Sequence, residues 1–297
     1  MRTTIDITLK QPRKAIDALS EASPGLSRQK IKDAMAKGAC WWTHNGKRLR
    51  LRRATKELKP GIRLQLYYDE KVLAKKPEDP ILLEDLDRYT VWFKPHGLLA
   101  QGSQWGDHCS LLRLAEVRLG RPCHLIHRLD ADAAGLMLIA HDPKAAGALS
   151  QCFSGRTMTK RYKARVSGLM DAQDQLIDAP VEDKPAVSYA STLEKNEAEQ
   201  TSLVQVSIET GRKHQIRRHL AGLGHPIIGD RLYGRAAGVP LQLLAFHLEF
   251  DCPLSKRKVV FELPPELSTR AGARLIPGSG PAPASARSAP SDPLQCG

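Results

Sequence analysis

Apolar positions change their spacing several times along the chain, and each change predicts an element. Ile16 and Leu19 fall on one face of a short amphipathic helix. After Ser27, a capping residue, Ile31, Ala34 and Met35 recur at helical spacing until Gly38 supplies a stop. Asn45-Gly46 predicts a hairpin turn, and past it Leu49 and Leu51 alternate with Arg48, Arg50 and Arg52 as on a half-buried strand. Pro60-Gly61 turns the chain again ahead of Arg63-Leu64-Gln65-Leu66-Tyr67. Gly135-Leu136-Met137-Leu138-Ile139-Ala140 is apolar throughout, the pattern of a fully buried strand. Asp142 then caps a helix with Pro143 at its first position, and Gly155 ends it. From Lys160 to Gly168 the period is two, with Tyr162, Ala164 and Val166 inward and Arg161, Lys163 and Arg165 outward. Val204, Val206 and Ile208 mark another strand, and a helix from about Lys213 would bury Ile216, Leu220 and Leu223.

These elements divide the chain. Residues 1–68 read as a small α/β unit and 69–88 as a linker, with helix-hostile Lys75-Lys76-Pro77 and Asp79-Pro80. Residues 89–267, where short strands and helices intermix, predict one α+β domain. Residues 268–297, rich in Pro, Gly, Ser and Ala, predict a disordered tail. There is no internal repeat.

Charge changes this picture more than composition does. The net charge is +13, and residues 10–66 hold fifteen Lys and Arg against four acids, so most of the excess lies in one small segment. A positive field of that density selects a polyphosphate partner, because each neutralised phosphate releases condensed counterions. A basic face turned to solvent or to an anionic membrane is the alternative. No apolar run reaches the ~18 residues of a membrane span, and the N-terminus lacks the apolar core of a signal peptide. A cytoplasmic location is therefore the expectation. Six scattered cysteines without a C-x-x-C pair argue against a disulfide framework and a cysteine zinc site.

Candidate chemistry centres on His127-Arg128-Leu129-Asp130. Asp130 stands just upstream of the buried strand, so a rigid element holds it. Taken alone, an aspartate beside an arginine such as Arg128 is more often a structural ion pair. Arg217 lies next to the apolar seam of its helix, where a cation is costly unless it meets an acid, and Asp130 is the expected acid. Asp132, two residues on in an extended segment, would point to the opposite side and makes a poor second carboxylate. His124-x-x-His127-x-x-Asp130 invites a metal, but the two histidines cannot share a strand face and no H-E-x-x-H accompanies them. No metal is expected.

Two resemblances emerge from these residues. Ser27-Arg28 opening a helix, Gly38 closing it, Asn45-Gly46 and Leu58-x-x-Gly61 resemble the small RNA-binding fold of ribosomal protein S4, the alpha-L motif. Trp41-Trp42 and Ile62 depart from that pattern. Further on, Phe93-Lys94-Pro95-His96-Gly97-Leu98, His127-Arg128-Leu129-Asp130, the Lys160–Gly168 strand and Gly211–Gly234 are similar, in order, to RluA-type pseudouridine synthases of ribosomal and transfer RNA. Where that family carries Thr-Ser-Gly after its catalytic loop this chain has Ala133-Ala134-Gly135, and its Leu-His-Ala becomes Leu243-Leu244-Ala245.

The resemblance implies a mixed, mainly antiparallel sheet in the catalytic domain and isomerisation of uridine to pseudouridine without a cofactor. It implies Asp130 as the catalytic carboxylate, attacking the sugar or removing its 2′ proton. Arg217 is the implied counter-ion favouring the charged form of Asp130. Tyr162 would stack on the extruded base and help remove the C5 proton. RNA contacts are expected from Arg128, His127, Arg212, His214, Gln215 and Leu220, and in the first unit from Arg28, Lys32, Arg50, Arg52 and Arg53. RNA is the expected partner, ribosomal before transfer RNA because an alpha-L unit is present, and the chain is expected to act as a monomer. A non-catalytic RNA-binding assembly factor is the rival reading, since both departures replace polar groups with apolar ones near the expected site.

Overall fold

The computed structural model describes residues 1–155, 157–235 and 238–270, with the backbone alone for Thr269 and Arg270. It opens with β1 (Arg2–Thr8) and the short β2 (Arg13–Lys14), then α1 (Ala15–Ala22) and α2 (Arg28–Ala36). Ser27 caps α2 by accepting the Lys30 N–H at 3.3 Å, and Gly38 closes it at φ 80°. β3 (Cys40–His44) and β4 (Lys47–Arg50) join through Asn45-Gly46, whose φ values of 48° and 71° are what a two-residue hairpin turn needs. β5 (Glu57–Leu58) pairs with β2, and β6 (Arg63–Asp69) completes an antiparallel sheet ordered β1-β6-β3-β4. Its inner face, including Ile5, Cys40, Leu64 and Leu66, packs on Leu19, Ile31 and Met35 of the helices. Leu49, expected inside, is 44% exposed because β4 is the edge strand and the helices do not reach it.

The expected linker is partly structured. It contains α3 (Glu70–Leu73), capped by Asp69, and β7 (Ile81–Asp85), which pairs with β8 (Tyr89–Lys94). Pro80 precedes the strand rather than breaking it, and Ile81-Leu82-Leu83 supplies apolar cover.

After α4 (Leu111–Leu119) and β9 (His124–Leu125) come β10 (Ala134–Ala140), buried along its whole length, and α5 (Pro143–Ser154). Asp142 caps α5, accepting the Ala145 N–H at 2.8 Å while Arg88 grips it in a bidentate pair. β11 (Thr159–Ser167), β12 (Gln175–Ile177), β13 (Ser188–Asn196) and β14 (Thr201–Ile208) follow, then α6 (Gln215–Gly222), β15 (Leu243–Cys252), β16 (Arg257–Glu262) and α7 (Pro265–Arg270). They build one ten-stranded sheet on the path β12-β13-β14-β11-β15-β10-β8-β7, with β9 on β10 and β16 on β15. Pairings are antiparallel except that of β10 with β15, where Ala134-Gly135 lies beside Leu244-Ala245. The protein is therefore α+β with a mixed, mainly antiparallel sheet. At the parallel seam Gly135 adopts φ 128°, and a Cβ there would overlap the Ala245 backbone.

Three expectations are corrected. Arg165 is buried, not outward, bonded to Thr201 and 4.0 Å from Glu194, because β11 lies in the middle of the sheet with both faces covered. α6 starts at Gln215, since His214 is left-handed (φ 56°), and Leu223 at its C-terminal end is 36% exposed instead of core. Residues 268–270 belong to α7, which Leu267 anchors in the core; the rest of the expected tail, 271–297, lies outside the described residues.

The two sheets meet through residues 103–109. Asp107, 9% exposed, pairs with both Arg50 and Arg52, and its N–H donates to the Lys37 carbonyl at 3.0 Å. Trp41 Nε1 donates to Gln104 O and Arg50 Nη2 to Ser103 O. A Cβ on Gly38 or Gly102 would overlap Asp107, so both positions suit glycine alone.

Candidate active site

Asp130 lies on the loop between β9 and β10, held from below by the sheet. Lys94, fully buried at the end of β8, donates to Pro95 O and Leu98 O at 2.9 Å and to Ala131 O at 3.3 Å. Burial pushes its ammonium down to about 7, against the pull of Asp130 and Asp132. His127 anchors the other end: its Nε2 accepts the Leu138 N–H at 3.0 Å and its ring stacks on Phe153 at 4.0 Å. Burial, with the charge of Lys160, pushes His127 down to about 3, so it stays neutral and keeps its lone pair for that bond. His127 was expected on RNA; one nitrogen and a ring face are engaged internally, where they hold the loop.

α6 brings the cation. Arg217 donates from Nε and Nη2 to Asp230 at 2.7 and 2.8 Å, and its remaining Nη1 stands 3.4 Å from Asp130 Oδ2. Asp130 is thus a second partner of Arg217, and the main one is Asp230, which also accepts the Leu232 and Tyr233 N–H groups. Burial works against both charges. Their mutual bonds outweigh it, holding Asp230 below the usual carboxylate range and Arg217 above its own. His214 Nε2 lies 3.7 Å from Asp130 Oδ1 while Nδ1 meets the Tyr233 hydroxyl at 3.0 Å. Burial pushes His214 down, and Asp130 resists.

Tyr162 sits at a bulge in β11 opposite Ala245, in the same cross-strand row as Gly135 and Lys94. Burial and the nearby Asp130 charge raise its phenol, so the hydroxyl is protonated at rest and cannot start out as a base. Asp130, Tyr162, Arg128, Arg212, His214 and Arg217 line one cavity of about 90 Å³. It shares Arg128, Tyr162 and Arg212 with a wider cleft of about 440 Å³, bordered also by His127, Phe153 and Lys160. A carboxylate, a flat ring and rim cations can hold an anionic, planar substrate group. Among the described residues no set of three His, Cys, Asp or Glu is placed to hold a metal ion, and no helix is long and apolar enough to cross a membrane.

Not every expected contact faces this cavity. Gln215 lines it, but its amide accepts from Thr210 and Arg212 N–H and donates to Val187 O and Ser188, leaving little for RNA. Leu220 is fully buried in the core. Arg50 and Arg52 turn inward to Asp107, because that buried acid needs their charge, while Arg53, Arg28 and Lys32 are exposed, Arg28 in an ion pair with Asp17. Ala133 lines the cavity, whereas Ala134 and Leu244 do not. Sequence reasoning passed over Asp230, Lys94 and Tyr233. Asp230 was the findable one, an acid closing a Gly-rich loop just after the helix that carries an otherwise unaccounted arginine.

The family model for RNA pseudouridylate synthase matches residues 88–222. An RNA pseudouridine synthase of Aquifex aeolicus is 33% identical over 82% of this chain and 88% of its own length. The ribosomal large subunit pseudouridine synthase D of Nitrosomonas europaea is 34% identical over 62% of this chain and 61% of its own. The dual-specificity RNA pseudouridine synthase RluA of Vibrio parahaemolyticus is 32% identical over 60% of this chain and 81% of its own. The chain belongs to the RNA pseudouridine synthase family, with a catalytic domain of the RluA type, and its substrate is RNA.

Proposed function

We propose that Asp130 is the carboxylate that acts on the target uridine, with Tyr162 against the freed base and Arg217 as counter-ion. Isomerisation breaks the C1′–N1 bond, forms C1′–C5, releases the C5 proton and leaves N1 protonated. It needs one ionised carboxylate beside the sugar and a surface that keeps the base from leaving. The carrying observation is that Asp130 and Tyr162 line one small cavity while Arg217 Nη1 stands 3.4 Å from Asp130. Arg128 and Arg212 at the rim then meet the phosphates flanking the extruded nucleotide.

In this reading 1–68 is an S4-like RNA-binding domain, 69–88 connects it, and 89–267 is the catalytic domain. Support comes from α2, Gly38 and the two helices packed on one face of a four-stranded sheet. The favoured substrate is large-subunit ribosomal RNA, as the name of the Nitrosomonas relative has it, with transfer RNA the alternative. In this reading the enzyme acts in the cytoplasm as a monomer.

Asp130→Asn should stop tritium release from RNA labelled at uridine C5 while leaving RNA affinity intact. Undiminished release would remove Asp130 from the mechanism. Pseudouridine mapping in cells lacking the protein should show the missing site in large-subunit ribosomal RNA, and a loss confined to transfer RNA would reverse that assignment.

A further inference from the structure

The outer face of the small sheet, turned away from α1 and α2, carries Arg2 on β1, Tyr67 on β6, Trp41 on β3 and Arg48 on β4. Trp105, from the loop docked by Asp107, adds to it. Its ring meets Tyr67 edge-on at 5.6 Å, and the Arg2 guanidinium lies over it at 4.1 Å. Arg48 lies over Trp41 at 4.6 Å and Tyr67 at 5.2 Å. The two arginines are exposed and the three rings half-buried. None of these groups lines the Asp130 cavity.

The charges on this face favour an anion. Asp6 is engaged by Arg63, and Asp69 lies 3.5 Å from Arg2. Arg48 makes no ion pair among the described residues. Trp41 is pinned by its bond to Gln104 O, and Arg50 covers it at 4.1 Å, so its ring is fixed in place. A guanidinium lying flat on a ring presents its own outer plane for stacking and its N–H edge for phosphate. Interleaved rings and cations of this kind suit splayed bases with a backbone between them, whereas a duplex offers its phosphates and hides its base faces.

We propose that this face is a second RNA-docking surface, which takes an unpaired segment of the substrate remote from the target nucleotide. The small sheet and the 103–109 loop build it together, so an RNA held here is held at a fixed distance from Asp130. The inference rests on the chain's action on RNA, which tritium release by the wild-type protein tests separately.

The experiment uses the full chain with Asp130→Asn as background, so that no turnover intervenes, and a short fluorescein-labelled oligouridylate as probe. Arg48→Ala with Trp105→Ala should weaken binding about tenfold or more, the loss expected for a stacking contact and a cation removed together. Arg48→Glu alone, at an exposed residue, should weaken it as well and guards against a misfolded double variant. A duplex of equal length should lose less. Unchanged oligouridylate affinity in folded variants overturns the proposal, and an equal loss for the duplex overturns its assignment to unpaired RNA.

Discussion

Ala134 and Leu244 lie side by side where β10 and β15 run parallel, and both are fully buried. In the RluA-type pattern these two places hold serine and histidine. At these two positions a neighbouring apolar pair stands where the pattern has a neighbouring polar one. They belong to the cluster of Val91, Leu136 and Phe250, and Ala133 alone of the altered residues lines the cavity.

Reversing one half should hurt more than reversing both. Leu244→His would bury an imidazole without a partner and cost about 2–4 kcal/mol, and Ala134→Ser about 1–2 kcal/mol. Together they should cost less than the sum, by about 1 kcal/mol, because each supplies the other's hydrogen bond. Denaturant unfolding of the four proteins measures the coupling. Strict additivity would mean the two side chains do not meet.

Arg217 reaches Asp130 with one nitrogen because Asp230 holds the other two. Asp230→Asn keeps the shape and removes the charge. Breaking a buried pair on one side costs about 3–5 kcal/mol, less here because Asp130 remains. We expect lower stability together with a fall in tritium release greater than the loss of folded protein explains, as Arg217 swings toward Asp130. Release that tracks the folded fraction would make Asp230 purely structural.

Sequence pattern placed Asp130, Tyr162 and Arg217 on their elements but could not rank their partners. Periodicity identifies which face a residue occupies, and it found β10, α5 and the hairpin at Asn45-Gly46. It carries no information on which distant acid an arginine meets, so Asp230 went unassigned and Arg50 and Arg52 were taken for RNA contacts. Both outcomes share a cause. A buried charge is settled by tertiary neighbours, and a basic run in sequence looks the same whether it faces phosphate or a buried carboxylate such as Asp107.

His127 supplies a pH test. Its folded pKa lies near 3 against an ordinary 6.5, so between these values the unfolded chain binds more protons than the folded one. Stability should then rise with pH across that window and fall on acidification, by at most about 1.4 kcal/mol per pH unit from this group. His127→Gln, which keeps an acceptor for the Leu138 N–H, should flatten the slope relative to wild type. Denaturant midpoints measured from pH 7 down to 4 decide it, and parallel slopes would detach the acid sensitivity from His127.

Asp107 should decide whether the small sheet rides rigidly on the large one. It neutralises Arg50 and Arg52 in a pocket that Gly38 and Gly102 leave open, so its removal leaves two facing cations with no acid between them. Asp107→Ala should therefore separate the docked surfaces without unfolding either core, since neither core cluster includes it. Hydrogen exchange should quicken in residues 37–41 and 101–109, and protease should cut more readily between 74 and 80. Catalysis should divide accordingly, with KM for a long RNA rising and kcat holding, because the Asp130 cavity lies entirely within the large sheet and its helices. An equal fall in kcat would mean that the docked loop supports the catalytic loop itself, and unchanged exchange would show that Trp41 and the backbone contacts hold the two sheets together without Asp107.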